Sequence, residues 1–207
     1  MPDFSFELKH SGLVCGVDEA GRGPWAGPVV AGAAILDRAQ LPDDLVQGLD
    51  DSKKLKAAKR EALLERLQEC DAVQLGLGLA SVEEIDELNI LQATFLAMHR
   101  AVENLSRAPD FALIDGNHIP PGLSCPAEAV VKGDGLSLSI AAASIQAKVA
   151  RDLMMVELGV LHPGYGWANN AGYGTKQHQE GLKRLGITPH HRKSFKPIRK
   201  ILSLGDS

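Results

Sequence analysis

Residues 13–36 read LVCGVDEAGRGPWAGPVVAGAAIL, and this stretch decides the fold. Two apolar runs, Leu13 to Val17 and Pro28 to Leu36, flank a loop of glycine and proline; short apolar runs bounded by such residues predict buried strands. Gly21-Arg22-Gly23 raises one alternative, a nucleotide loop, since glycine pairs near a strand often cradle phosphate. A dinucleotide fingerprint needs a third glycine at fixed spacing and a helix straight after it, whereas Pro24-Trp25-Ala26-Gly27-Pro28 and a second strand follow here. No G-x-x-x-x-G-K-[ST] occurs either. Two readings stay open: a plain tight turn, or a backbone-rich loop that approaches a sugar or phosphate closely because glycine has no side chain to obstruct contact.

Working outward, Ser52 predicts the N-cap of an amphipathic helix over residues 53–69, and Val73 to Ala80 a strand. Ser81 and Glu84 predict a capping box that opens one long helix, with Ile85, Leu88, Leu91, Phe95, Met98 and Val102 as its buried stripe. Phe111 to Ile114 and Ala129 to Val131 read as short strands. Leu136 to Leu158 reads as a helix buried against a sheet, and the glycine-rich stretch Gly164 to Gly174 leads into a last helix near residues 176–185. This order predicts an α/β fold, a central mixed sheet flanked by helices, with a C-terminal helical segment. No repeat or linker divides the 207 residues, so one domain spanning 1–207 is expected, its core about 13–201 and its basic C-terminal segment about 175–201.

Composition fits a soluble globular chain: 44% hydrophobic and 23% charged. Cys15, Cys70 and Cys125 are far apart and form no C-x-x-C pair, which argues against a disulfide scaffold or a zinc knuckle and suggests a reducing, cytoplasmic setting. The opening MPDFSFELKHSG lacks a basic and apolar leader pattern, and no apolar run approaches the roughly 20 residues of a membrane span. Charge is unevenly placed. Residues 176–200 hold eight Lys/Arg against Glu180 alone, a balance of +7 on a chain of net −4, which leaves −11 elsewhere. That pattern suits a protein gathering cations at one place and a polyanion at another, and equally a solvated basic helix.

The informative acids follow apolar strands: Asp18-Glu19 after LVCGV, Asp115 after FALI, and Asp134 after AVVKG. Ligand sites of α/β sheets gather at strand ends. If these strands are neighbours with aligned ends, four carboxylates converge, and such a cluster needs a cation to offset its repulsion. Hard oxygen ligands suit Mg²⁺ or Mn²⁺, and two such ions can support phosphodiester hydrolysis. A single aspartate after a strand more often just starts a turn.

The stretch 17–30, VDEAGRGPWAGPVV, resembles the signature of bacterial type 2 ribonuclease H, ribonuclease HII. Further motifs follow in that family's order: Asp51-Ser52-Lys53-Lys54-Leu55, Asp115-Gly116-Asn117, Lys132-Gly133-Asp134, residues 139–152, Gly172-Tyr173-Gly174-Thr175 and His191-Arg192-Lys193-Ser194-Phe195. The resemblance implies a ribonuclease H-like fold and a cytoplasmic endonuclease of ribonucleotide excision repair. Such an enzyme cuts the RNA strand of RNA–DNA hybrids and, in DNA duplexes, the 5′ side of embedded ribonucleotides, leaving 3′-hydroxyl and 5′-phosphate ends. It implies that Asp18, Glu19, Asp115 and Asp134 bind two Mn²⁺ or Mg²⁺ ions, that Gly21-Arg22-Gly23 reads the ribose 2′-hydroxyl, and that Tyr173 stacks on the following sugar. Lys53, Asn117, Lys148 and Arg192 are expected as substrate contacts, and a monomer without membrane contact is expected. Trp25 stands where the family often has a smaller aliphatic residue, and Asn170-Ala171 where many members carry a base, removing one phosphate contact. The related ribonuclease HIII carries an extra N-terminal domain, for which the dozen residues before Leu13 leave no room.

Two other classes remain. A non-catalytic binding module would need no carboxylate cluster, and a phosphatase would act on free nucleotides. Ser144 reads as a packing residue bonded to its own helix backbone, and the histidines show no ligand spacing.

Overall fold

The loop after Val14–Ala20 (β1) returns the chain so that Val29–Leu36 (β2) pairs antiparallel with it, Cys15 opposite Ile35 and Ala20 opposite Val30. In the computed structural model, which describes residues 1–205, the chain continues through Asp43–Gly48 (α1), Ala57–Glu69 (α2) and Val73–Ala80 (β3). Val82–Leu88 (α3), Ile90–Glu103 (α4), Phe111–Asp115 (β4) and Ala127–Val130 (β5) follow. Leu138–Leu161 (α5), Trp167–Asn170 (α6), Lys176–Leu185 (α7) and Lys196–Gly205 (α8) complete it. The strands form one mixed five-stranded sheet in the order β3-β2-β1-β4-β5, antiparallel from β3 to β1 and parallel from β1 to β5.

Strand alternation divides the core between the two faces. Cys15, Val17, Ala31, Ala33 and Ile35 face α3 and α4, where Ile85, Ala93, Ala97, Met98 and Val102 cover them. Ala34 faces the other way, onto α1, α2 and α5 through Leu45, Leu64, Ala141 and Ile145. Helix α5 lies almost on the sheet: a Cβ at Gly16 would overlap the Ser139–Ile140 backbone, and one at Gly32 the Ala143 carbonyl. A separate cluster of Met155, Tyr165, Trp167, Leu182 and Ile198 joins α5 to the C-terminal helices. At the outer strand β3, Arg100 of α4 and Asn104 at its C-terminal cap donate to the carbonyls of Leu79 and Leu77 at 2.7 and 2.8 Å.

Several local expectations are corrected. Strand β1 continues through Asp18 and Glu19 to Ala20, because its pairing with β2 persists after its pairing with β4 has ended. Ser52 is no N-cap: it is buried with its hydroxyl 2.7 Å from that of Ser144, a turn occupies the next residues, and the helix starts at Ala57. The expected long helix is two. Ser81 and Glu84 form the capping box, but Asn89, at φ 71°, breaks the run and caps α4 by accepting from the N–H groups of Leu91 and Gln92. Helices α1, α6 and α8 are additional to the separate helices that the sequence predicts. Among the described residues no helix is long and apolar enough to cross a membrane.

Gly32→Ala should cost about 1–3 kcal/mol, because α5 would have to lift from the sheet. Urea denaturation measures this, and an unchanged midpoint would show that the helix can shift freely.

Candidate active site

Parallel pairing of β1 with β4 runs as far as Val17 opposite Ile114, so the next residue of each strand, Asp18 and Asp115, emerge side by side. Asp18 shares its face with Gly16, the face beneath α5. After β5 the chain turns sharply at Lys132, φ 57°, and residues 133–135 form a single 3₁₀ turn before Ser137 caps α5. The N–H groups of Gly133 and Asp134 donate to Asp115 Oδ1 at 2.7 and 3.4 Å, which ties this turn to the end of β4. In consequence Asp18, Asp115 and Asp134 each bring a carboxylate oxygen within 4.8 Å of the others.

Three acids at this separation repel one another. Asp18 is 3% exposed, and burial, then Glu19 and Asp115, push its carboxyl well above the usual range. The Ser144 hydroxyl and the Glu19 N–H, 2.7 Å from Oδ1, stabilise its ionised form against that push. Burial and the neighbouring Asp134 raise Asp115 in the same direction. Lys53 reaches the cluster: its Nζ lies 2.9 Å from Asp134 Oδ2, with its own side chain largely exposed. A set of hard carboxylate oxygens with a charge deficit of this kind fits Mg²⁺ or Mn²⁺.

Glu19 stands apart from the set of three. Adjacent strand residues leave the backbone on opposite faces, so Glu19 departs from β1 on the other side from Asp18, and its carboxylate pairs with Arg22 Nη1 at 3.2 Å. It is still close enough to raise Asp18, and burial raises its own carboxyl although Arg22 draws it down.

Beside the acids, the two glycine loops meet. Trp25 N–H donates to Gly172 O at 2.8 Å, and a Cβ on Gly23 would lie 3.4 Å from the Tyr173 ring, which is 50% exposed. Arg22 and Gly23 are exposed, and Gly21 is half-buried behind them. Asn117 is exposed in the turn just past Asp115. Lys148 is engaged on α5 in an ion pair with Asp152 at 2.7 Å, which Arg60 shares.

Arg192 departs from expectation. Its guanidinium is fully buried and donates to backbone carbonyls at the base of the glycine loop, a place from which it cannot touch a phosphate. Asn170, where a basic residue is common in the family resembled, pins the second loop by donating to Tyr165 O and accepting from Gly172 N–H.

Sequence reasoning missed three supports. Ser144 bonds to Ser52, away from its own backbone, and its hydroxyl favours the ionised form of Asp18. His178 donates from Nδ1 to Tyr173 O at 3.0 Å, leaving Nε2 to accept from the Trp167 indole. His191 lies 3.0 Å from that same Nε2. The histidine after Gly-Tyr-Gly-Thr was the available signal, but its partners come from distant segments.

Known proteins resemble this chain in sequence and fold. The family model described as ribonuclease HII matches residues 15–198. A ribonuclease HII from a Jannaschia species is 63% identical, with 97% of this chain and 98% of that protein covered. One from Paramagnetospirillum magneticum is 60% identical over 98% and 99%. Among solved structures, ribonuclease H2 from Pyrococcus horikoshii superposes with a TM-score of 0.78 at 29% identity, covering 94% of this chain and 99% of that one. A Bst ribonuclease HIII solved with Mn²⁺, 19% identical and with a TM-score of 0.75 over 94% of this chain and 70% of that one, shares the fold.

The raised carboxyl of Asp18 carries a sign. A folded-state value above the unfolded one contributes stability below about pH 4, and that contribution is lost as pH rises through the raised value. Asp18→Asn should therefore melt higher than the parent in metal-free buffer at pH 7, with the gap closing toward pH 4. A gap in thermal midpoint that is the same at both pH values would refute the repulsion argued here.

Proposed function

The chain belongs to the ribonuclease HII family, metal-dependent endoribonucleases that cut the RNA strand of RNA–DNA hybrids, and on that premise we propose how its residues divide the work. The observation that carries the reading is the approach of the Asp18, Asp115 and Asp134 oxygens within 4.8 Å of one another. These three, with Glu19 beside them, hold two divalent ions, Mg²⁺ or Mn²⁺. When bound, the ions supply an activated water and stabilise the leaving oxygen.

The protein's own groups do the rest. The Asp18 and Asp115 carboxylates are kept in register by the sheet, and Ser144 fixes the orientation of the first through its hydroxyl. Lys53 holds Asp134 in the turn that joins β5 to α5 and lends positive charge to the approaching backbone. Only the 2′-hydroxyl separates a ribonucleotide from its deoxy counterpart, and reading it requires close backbone approach. Gly21, Arg22 and Gly23 supply that approach, their outer N–H groups meeting the ribose. Tyr173, against Gly23, stacks on the next sugar and so favours a ribonucleotide followed by DNA. Asn117 contributes a donor beside Asp115. Lys148, paired with Asp152, serves as a more distant phosphate contact.

The proposed product is a break 5′ of the ribonucleotide, with a 3′-hydroxyl and a 5′-phosphate, made on both long hybrids and single embedded ribonucleotides. The whole chain acts as one catalytic domain, a cytoplasmic monomer in ribonucleotide excision repair.

A labelled DNA duplex with one ribonucleotide tests this, beside an all-DNA duplex and a uniform hybrid, in Mg²⁺, Mn²⁺ or EDTA. A single cut on the 5′ side, abolished by EDTA and by Asp115→Asn, is expected. Cleavage of the hybrid alone would remove the role given to the glycine loop. Tyr173→Ala should lower kcat/KM on the single-ribonucleotide duplex by about tenfold, the scale of one aromatic stack, and leave affinity for plain DNA nearly unchanged. An equal loss on both would count against stacking.

A further inference from the structure

Two guanidinium groups lie beneath the loop 21–28, and neither is ion-paired to a carboxylate among the described residues. Fully buried Arg192 donates from Nε to Gly27 O at 2.9 Å, from Nη1 to Arg22 O at 3.0 Å, and from Nη2 to Gly21 O and Pro28 O at 2.6 and 3.1 Å. Arg151, reaching in from α5 at 1% exposure, donates to Pro28 O and Ala171 O at 3.0 Å each and to Ala26 O at 3.2 Å. Burial, and then the charge of Arg151, draws Arg192 down to about 9, and burial draws Arg151 down to about 10, so both stay protonated at neutral pH. Keeping two cations buried side by side without an acid is costly, and carbonyl dipoles are all that offset it.

The geometry gives that cost a return. A trans peptide is planar, with its C=O and N–H on opposite sides. Turning Gly21 O and Arg22 O inward onto Arg192 therefore turns the N–H groups of Arg22 and Gly23 outward. Those two N–H groups donate to no protein acceptor among the described residues, and Gly23 stands beside the exposed Tyr173 ring. Gly21 makes room for the arrangement: its φ is 98°, and a Cβ there would overlap the Arg151 side chain.

We infer that Arg192 and Arg151 are positioning residues for substrate choice: by holding the loop's carbonyls inward they present the Arg22 and Gly23 N–H groups as the donors that distinguish ribose from deoxyribose. This rests on the ribose-reading role given to that loop above. It separates these two arginines from the other basic residues near the site, which act on phosphates.

Fluorescence anisotropy in an Asp115→Asn background, where cleavage is expected to stop, tests it on hybrid and all-DNA duplexes of one sequence across a range of salt. Arg192→Lys keeps the charge but cannot span four carbonyls, and it should lower the hybrid-over-DNA affinity ratio at least tenfold without changing the slope of log K against log salt. A direct phosphate contact would behave oppositely, weakening both duplexes alike and reducing the slope by about 0.9. That outcome would overturn the proposal. Arg151→Lys should show the same loss of selectivity and carries the test if the first variant does not fold. Should neither fold, amide NMR of the Asp115→Asn parent decides: Arg22 and Gly23 signals that shift with hybrid and not with DNA support the proposal, and equal shifts sink it. A parent with no preference for hybrid would remove the loop's role itself, whereas a preference that survives both arginine substitutions would remove only the positioning role.

Discussion

Mutual repulsion among three crowded carboxylates, two buried and one half-buried, is the constraint on which the rest of this structure depends. Nothing in water would gather Asp18, Asp115 and Asp134, so the fold has to hold them together against their charge. It does so with backbone. Parallel pairing sets Asp18 beside Asp115, and two N–H groups from the 3₁₀ turn clamp Asp134 to the end of β4. The close seating of α5, allowed by Gly16 and Gly32, brings Ser144 to Asp18 and closes the site from below. Stability has been given up at one end of the sheet, and the two hydrophobic layers on either face supply what holds it there.

Much of this was legible in the sequence because strand ends are local. An apolar run followed by an acid marks where a side chain emerges, and three such places predicted the cluster before any distance was known. The order of strands and helices likewise predicted the mixed sheet. What the sequence hid was direction. Asp18 and Glu19 look equivalent as neighbours, yet β1 continues through both and alternation sends them to opposite faces. Asn89 hid a helix boundary inside an unbroken apolar stripe, since its break depends on one residue adopting a positive φ. Ser52 and Ser144, 92 residues apart, could be linked only by the packing of α5 on the sheet.

Arg192 shows the same limit more sharply. Its position in a basic segment made it look like a phosphate ligand, because charge is visible in a sequence and burial is not. Folded, it belongs to the glycine loop some 170 residues earlier, as its contact with Arg22 O shows. The C-terminal segment is thus less a cationic tail than a brace: His178 and His191 hold the Tyr173 turn, Asn170 pins its other side, and Arg192 supports the loop facing it. Two loops distant in sequence are made into one surface by side chains that never reach it.

The outer strand β3 raises a different matter. An edge strand exposes a row of unpaired carbonyls onto which another chain can add, the usual beginning of sheet-to-sheet aggregation. Here Arg100 and Asn104 already occupy the carbonyls of Leu79 and Leu77. A newcomer would have to displace a guanidinium and an amide anchored on α4 before forming its first rung. The helix that covers one face of the sheet therefore also guards its margin, and the protein can keep a long, apolar edge strand at cellular concentration without offering it as a template.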